Sequence, residues 1–321
     1  MNRIKTLPKK IGTHNLALIT INVVLIVVMA SISPYFLTGA NIEVILMGFV
    51  LEGIMAIGMT FVIISGGIDL SVSSVLPFAA IITGFMLKAG WPPFVAIIIT
   101  LISSVLVGLF NASLKNILNV HPFIATLATM LTLRGLALAI SSGANLSGFP
   151  ESFFFLGQGR ALGIPFPICV FIILALVMGL LLKKHRYFRQ IYFIGYDPQA
   201  AKVSGMKVER FFLFVFGLSS GLAGLAGVLA ASQYGAAHIS FGIGSELRVI
   251  TAVVIGGTSI VRGGSGTMFG TVLGVLFMAI IYNALVMSGI STYWQDVVNG
   301  IMLLAAIFFV EFMKNREKAV N

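Results

Sequence analysis

The chain has 321 residues, of which 58% are hydrophobic and only 9% charged, and its mean hydropathy is +1.06. About a quarter of the residues in a soluble domain are charged, so this composition excludes a soluble protein and predicts an all-α polytopic membrane protein. We attribute the net charge of +10 to basic loops that orient membrane proteins, and we predict no nucleic-acid partner. The single cysteine, Cys169, excludes a disulfide framework within one chain.

Ten apolar segments approach the length of about 20 residues that a helix needs to cross a bilayer. They are approximately residues 15–33, 43–64, 70–88, 93–117, 122–142, 164–183, 211–233, 246–261, 267–287 and 294–313. The third and eighth are candidates for partial spans, because Gly and Ser interrupt the third and because Glu246 and Arg248 lie at the entrance of the eighth. We interpret residues 1–321 as a single transmembrane domain.

The distribution of basic residues predicts the orientation of the chain. If the amino terminus is inside, most of the 20 Lys and Arg residues fall in inside segments, with the largest group in the loop of residues 183–210. Both termini are then cytoplasmic. We therefore expect a multi-pass protein of the cytoplasmic (inner) membrane, in contact with lipid.

A short, separately capped helix is predicted within this basic loop. The carboxylate of Asp197 can accept hydrogen bonds from the first free backbone N–H groups, and Pro198 suits the first helical position. Ala200 and Ala201 favour continuation of the helix, and Gly205 suits a left-handed stop. This helix is either a docking element for a partner or part of a solvated loop held by lipid headgroups.

A conspicuous acidic motif lies between two apolar runs and comprises Gly66, Gly67, Asp69 and Ser71. An acid inside or at the edge of a membrane is energetically expensive, and paired glycines let the backbone leave a helix. Asp69 could cap the third span by accepting a hydrogen bond from the N–H group of Ser71 or Val72. Capping is compatible with a gating role, and we predict a gate or pathway element here.

Two more charged residues, Glu52 and Arg134, fall inside predicted spans. Arg134 should face the protein interior with a partner, and Glu52 is the nearest candidate by depth. Such a pair either fixes helix packing or lines the substrate path. As an alternative class, Glu52, Asp69 and Arg134 could form the relay of an ion-coupled secondary transporter.

The sequence offers no arrangement typical of an enzyme or a nucleotide site. It contains no Ser/His/Asp, Cys/His or His-Glu-x2-His pattern, and the four histidines are scattered. No stretch matches Gly-x4-Gly-Lys-Ser/Thr. We expect a transport protein that holds neither a metal ion nor ATP itself.

Three sequence blocks occur in a characteristic order and spacing, namely residues 66–72, residues 121–127 followed by Arg134 and Gly135, and residues 252–259. Together they resemble the membrane-spanning permease subunit of ribose-type ABC sugar importers. The resemblance implies a fold of about ten transmembrane helices, like that of type II ABC importers. It implies inward transport of a monosaccharide or a sugar-like solute, with nucleosides or branched-chain amino acids as alternatives within the class.

The resemblance also implies partners and residue roles. The partners are a cytoplasmic ABC ATPase that carries ATP and Mg²⁺, an extracytoplasmic sugar-binding protein, and a second permease subunit that is identical or paralogous. The short helix becomes a coupling helix that docks on the ATPase through Asp197, Pro198, Ala200, Ala201, Lys202 and Gly205. One departure from the family pattern is Arg248, which we expect on the outer face, where it would alter the surface that meets the binding protein.

Overall fold

The computed structural model describes residues 7–260, 263–291 and 293–320. The helices within these ranges are α1 Leu7–Ile32, α2 Gly39–Ile64, α3 Val72–Lys88, α4 Pro93–Leu118, α5 Pro122–Ser141, α6 Glu151–Gln158, α7 Phe166–Lys184, α8 Arg186–Tyr196, α9 Pro198–Val203, α10 Val208–Tyr234, α11 Ser245–Ile255, α12 Met268–Met287 and α13 Tyr293–Val320. Two small antiparallel strand pairs accompany them, β1 Leu146–Ser147 with β4 Ala236–Ala237 and β2 Arg160–Ala161 with β3 Ile164–Pro165. The prediction of a helical membrane protein is confirmed.

Seven of these helices are long and apolar enough to cross a membrane, and each coincides with a predicted span: α1 from His14 onward, α2, α4, α5, α7, α10 and α12. Helix α3, with 17 residues, is slightly shorter. Helix α11 has only 11 residues, which is about 16 Å against a hydrocarbon core of about 30 Å. The eighth predicted segment is therefore a partial helix, and a count of ten full spans is not confirmed.

Helices α2 and α10 form the centre of the bundle. Most residues of their spans are buried, whereas only a minority of the residues are buried in the spans of α1, α4, α5 and α7. Helix α10 packs against α2, α3 and α4. At its contact with α4, a Cβ on Gly108 would lie 2.1 Å from the carbonyl oxygen of Phe216, so only glycine permits this approach. Small residues at such contacts are how helices associate closely in a membrane.

The alternating directions of the helices give the bundle two ends. At the end that carries α9, which we call the α9 end, the N–H of Gly264 donates to the carbonyl of Ile64 at 2.7 Å. At the opposite end, β1 and β4 join the segments that follow α5 and α10. The acidic motif of residues 66–71 begins directly after α2 and therefore lies at the α9 end.

Candidate functional site

Asp69 is completely buried and accepts three hydrogen bonds. Its Oδ1 accepts from the backbone N–H of Ser71 at 3.0 Å and from Ser71 Oγ at 2.5 Å. Its Oδ2 accepts from Ser219 Oγ, on α10, at 3.0 Å. The predicted bond with the N–H of Ser71 is confirmed, and the carboxylate additionally joins the start of α3 to the central helix α10.

Two further polar side chains extend this arrangement to α4 and α5. Asn111 Nδ2 donates to Ser71 Oγ at 2.9 Å, and Thr129 Oγ1 donates to Asn111 Oδ1 at 2.6 Å. All of these side chains are buried. We call Asp69, Ser71, Asn111, Thr129 and Ser219 the Asp69 network. Because unpaired polar groups are costly inside a membrane protein, the network fixes four helices relative to one another.

The two glycines before Asp69 terminate α2 and let the chain turn into the network. Gly66 has φ +84°, a left-handed conformation that favours glycine. The N–H of Gly67 donates to the carbonyl oxygen of Val62 at 2.9 Å, and a Cβ on Gly67 would lie 3.1 Å from the ring of Phe216. Gly66, Gly67, Asp69 and Ser71 are thus brought together, and their gating role stays a prediction.

The predicted pairing of Arg134 with Glu52 is wrong. Glu52 Oε1 accepts from Arg248 Nε at 2.7 Å, whereas Arg134 Nη2 lies 3.9 Å from Glu246 Oε2. The sequence predicted a similar depth for Arg134 and Glu52, but α5 packs against α3 and α4, while α2 packs against α7, α10, α11 and α12. The two residues therefore meet different side chains of the first turn of α11 and not each other.

The expected position of Arg248 on an outer docking surface is also wrong. Its side chain is only 20% exposed, because it lies against the middle of α2, where it pairs with Glu52. A second acid, Asp296 of α13, lies 3.6 Å from Arg248 Nη1. Arg248 is thus an internal ion-pair residue.

The predicted short helix is present as α9, and its cap has the expected geometry. Asp197 Oδ1 accepts from the N–H groups of Gln199 at 3.0 Å and Ala200 at 2.9 Å. Pro198 is the first helical residue, and Gly205 follows the helix with φ +83°. Most of α9, including Ala200, is exposed, whereas Ala201 is buried with 4% exposure. Helix α9 therefore offers one free face and anchors itself through the other.

Two connections join α8 and α9 to the rest of the bundle. Lys202 Nζ lies 2.6 Å from Glu209 Oε1, which ties α9 to the first turn of α10. Gly195, near the end of α8, lies so close to the end of α2 that a Cβ would be 1.8 Å from the carbonyl oxygen of Ile64. The α8–α9 segment thus contacts the same end of α2 from which the acidic motif emerges.

Tyr192 reinforces this contact from the side of α8. Its hydroxyl donates to the carbonyl of Gly266 at 2.9 Å. Burial raises the pKa of Tyr192 to about 12, so the hydroxyl stays protonated and remains a donor throughout the physiological range.

Replacing Tyr192 with Phe is expected to lower the free energy of unfolding by about 1 kcal/mol, the net value of one hydrogen bond. Thermal unfolding of the purified protein in detergent measures the change. Tyr196→Phe is the matched control, because Tyr196 is mostly exposed on the same helix. An equal loss of stability in both variants would contradict the role of the Tyr192–Gly266 bond.

Comparison with known proteins identifies the class of this chain. The sequence model of a family described as branched-chain amino acid transport system / permease component matches residues 41–307. The chain belongs to this permease family. The permease is 37% identical to the ribose import permease protein RbsC of Bacillus subtilis, over 88% of each chain. It is also 37% identical to the D-allose transport system permease protein AlsC of Escherichia coli, over 88% of this chain and 87% of the relative.

A solved structure supports the fold assignment. A metal-chelate-type ABC transporter in an inward-facing conformation matches the permease with a TM-score of 0.56, over 96% of this chain and 99% of that chain. The two sequences are only 14% identical, so this likeness concerns the fold alone. The resemblance inferred from the three sequence blocks is confirmed: the permease is a transport subunit of an ABC importer and not an enzyme.

Family membership favours this assignment over the ion-coupled transporter. The geometry agrees, because Glu52, Asp69 and Arg134 belong to three separate groups in the described part of the chain. A proton relay requires its members to be connected by hydrogen bonds, and these three residues each have a different partner.

Proposed function

We propose that the permease moves a monosaccharide or a sugar-like solute inward across the cytoplasmic membrane. The observation that carries this proposal is the similarity, over nearly the whole length, to permeases named for ribose and for D-allose. The description of the family as a whole, in contrast, names a branched-chain amino acid transport system. Identity of 37% to two sugar permeases is the more specific of the two indications, because it extends over 88% of the chain.

The polar side chains inside the bundle support a pathway that binds its substrate weakly. Several of them are already paired with one another: Thr60 with Thr271 at 2.7 Å, and Thr83 with Thr100 at 2.9 Å. Asp69 is occupied by Ser71 and Ser219. Groups that satisfy each other offer few free hydrogen bonds to a sugar, so we assign high-affinity recognition to an extracytoplasmic sugar-binding protein.

We assign the α9 end to the cytoplasm because the basic loop lies there, which places the opposite end and its strand pairs outside. In this orientation α9 meets a cytoplasmic ATPase, which binds ATP and Mg²⁺. Two exposed apolar side chains, Tyr196 and Val203, flank the free face of α9 and suit a protein partner. A second permease subunit completes the pathway, and lipid covers the exposed apolar faces of α1, α4 and α7.

Movement of α9 would reach the Asp69 network by two routes. One runs from Lys202 through Glu209 into α10 and along it to Ser219. The other runs from Gly195 to the end of α2, next to Gly66. Closure of the ATPase would therefore move both α10 and the end of α2, the two elements on either side of Asp69. A coupled gate requires this arrangement.

Reconstitution of the permease with an ABC ATPase and a sugar-binding protein tests the proposal. We expect ATP-dependent uptake of a labelled pentose, hexose or related solute into proteoliposomes, and stimulation of ATP hydrolysis by the same compound. Leucine is included as a control substrate, because the family description names branched-chain amino acids. Uptake of leucine but of none of the sugars would contradict the sugar assignment, and uptake that persists without the ATPase but collapses with an uncoupler would contradict the ABC mechanism.

A further inference from the structure

Helix α11 is held differently at its two ends. At its carboxyl end the backbone packs directly against α12, since a Cβ on Gly274 would lie 2.0 Å from the carbonyl oxygen of Ala252. The final carbonyl, that of Ile255, also hydrogen-bonds His14 Nε2 of α1 at 3.0 Å. This end is fixed by close backbone contacts that leave little freedom for translation.

The first turn of α11 carries side-chain ion pairs, and the loop before it packs on α3, since a Cβ on Gly242 would lie 2.6 Å from the carbonyl oxygen of Ser73. Arg248 forms a hydrogen-bonded pair with Glu52 of α2 and lies near Asp296 of α13. Glu246 faces Arg134 of α5 at 3.9 Å, too far for a hydrogen bond. Arg134 Nη2 and Glu246 Oε2 are both buried and have no hydrogen-bond partner, so this second pair is only loosely made. The Arg248–Glu52 pair is therefore the tighter of these two ion pairs.

Glycines on both sides of α11 allow it to change direction. Gly242 and Gly244 precede the helix with φ +72° and +73°, and Gly257 follows it with φ +87°. Glycine adopts these conformations and their alternatives at little steric cost. A short rigid helix between such residues, fixed at one end and ion-paired at the other, can pivot about its fixed end.

We propose that α11 is a second moving gate of the permease, separate from the Asp69 network, and that the Arg248–Glu52 pair is its latch. When the pair separates, α11 pivots near Gly257, and its first turn moves away from α2. Glu52 and Arg248 act by positioning α11, whether or not they touch the substrate. The inference rests on the assignment as a transport subunit and on no particular substrate.

Thiol labelling at the first turn of α11 tests the gate. Cys169 is the single cysteine, so Cys169→Ala provides a cysteine-free background. Ser245→Cys places a reporter at the first residue of α11, where Ser245 is buried. Ser220→Cys places a second buried reporter in α10, away from the gate. The protein is embedded in nanodiscs, which expose both faces to a maleimide.

Adding Arg248→Gln is expected to raise the labelling rate of Ser245→Cys about tenfold or more, because a lost buried ion pair shifts a local opening equilibrium by at least that factor. Labelling of Ser220→Cys should not change. Glu52→Gln is the second latch variant and should give the same increase. The double variant should not exceed Arg248→Gln, since that change already removes the ion pairs of Arg248 with Glu52 and Asp296.

Arg160→Gln is the matched control, because it breaks the exposed Arg160–Glu43 pair near the amino end of the same helix α2. Unchanged labelling of Ser245→Cys in both latch variants would overturn the proposal. Equal increases at both reporters, or with Arg160→Gln, would also overturn it, because they indicate general loosening. The measurement uses neither ATP nor sugar, so it is independent of the proposed substrate.

Discussion

Ala200→Glu is expected to abolish the stimulation of ATP hydrolysis by substrate in the assembled importer, while the permease still folds. Ala200 is exposed on α9, so the added side chain points to the proposed ATPase contact and disturbs little inside the bundle. It is also the third helical residue after the cap Asp197, a position where Glu favours the helix. The loss of coupling would then come from the blocked contact and not from a damaged helix.

Two variants separate docking from folding. Ala144→Glu makes the same change at an exposed loop position at the opposite end of the bundle and should leave coupling intact. Ala201→Glu buries a charge where Ala201 packs, so it should reduce the yield of folded protein. ATPase activity and uptake in proteoliposomes measure the outcome. If the Ala200→Glu variant folds in normal yield and its ATP hydrolysis is still stimulated by substrate, α9 is excluded as the coupling helix.

Asp69→Leu is expected to destabilise the permease by about 3 kcal/mol or more, since it leaves three buried donors without an acceptor, at about 1–3 kcal/mol each. The donors are the N–H and hydroxyl of Ser71 and the hydroxyl of Ser219. Asp69→Asn retains one acceptor oxygen and should fold in lower yield, with impaired transport. Folded yield, thermal stability and uptake measure these effects.

Ser74→Ala is the control for this series. Ser74 is also buried, but its hydroxyl donates only to the carbonyl of Ser71, within the start of α3. Its loss should therefore cost about 1 kcal/mol or less and leave transport unchanged. Full yield together with full transport in Asp69→Asn would reduce the role of Asp69 to capping.

The features that could be predicted from the sequence are those decided by neighbouring residues. The cap of α9 depends on Asp197 and the two N–H groups that follow within three residues. The bond between Asp69 and the N–H of Ser71 spans two residues. Local hydrogen bonding of this kind needs no knowledge of which helices are neighbours.

The features that could not be predicted depend on helix packing. Asn111, Thr129 and Ser219 are polar residues in apolar helices, which is a signal of function or packing, but the sequence does not tell which of them meet. Ser219 is 150 residues from Asp69. The partner predicted for Arg134 was wrong for the same reason. A similar predicted depth does not place α5 beside α2.

The length of α11 has a consequence for the order in which the chain enters the membrane. Its 11 residues include Glu246 and Arg248, and an arginine at the centre of an inserting helix costs about 2.5–3.5 kcal/mol. We therefore expect α11 to enter only together with α12. Glu52, the acid that pairs with Arg248, is 196 residues earlier in the chain, so α2 is synthesised long before Arg248. Biogenesis thus places the acceptor of this ion pair first and its donor among the last elements of the bundle.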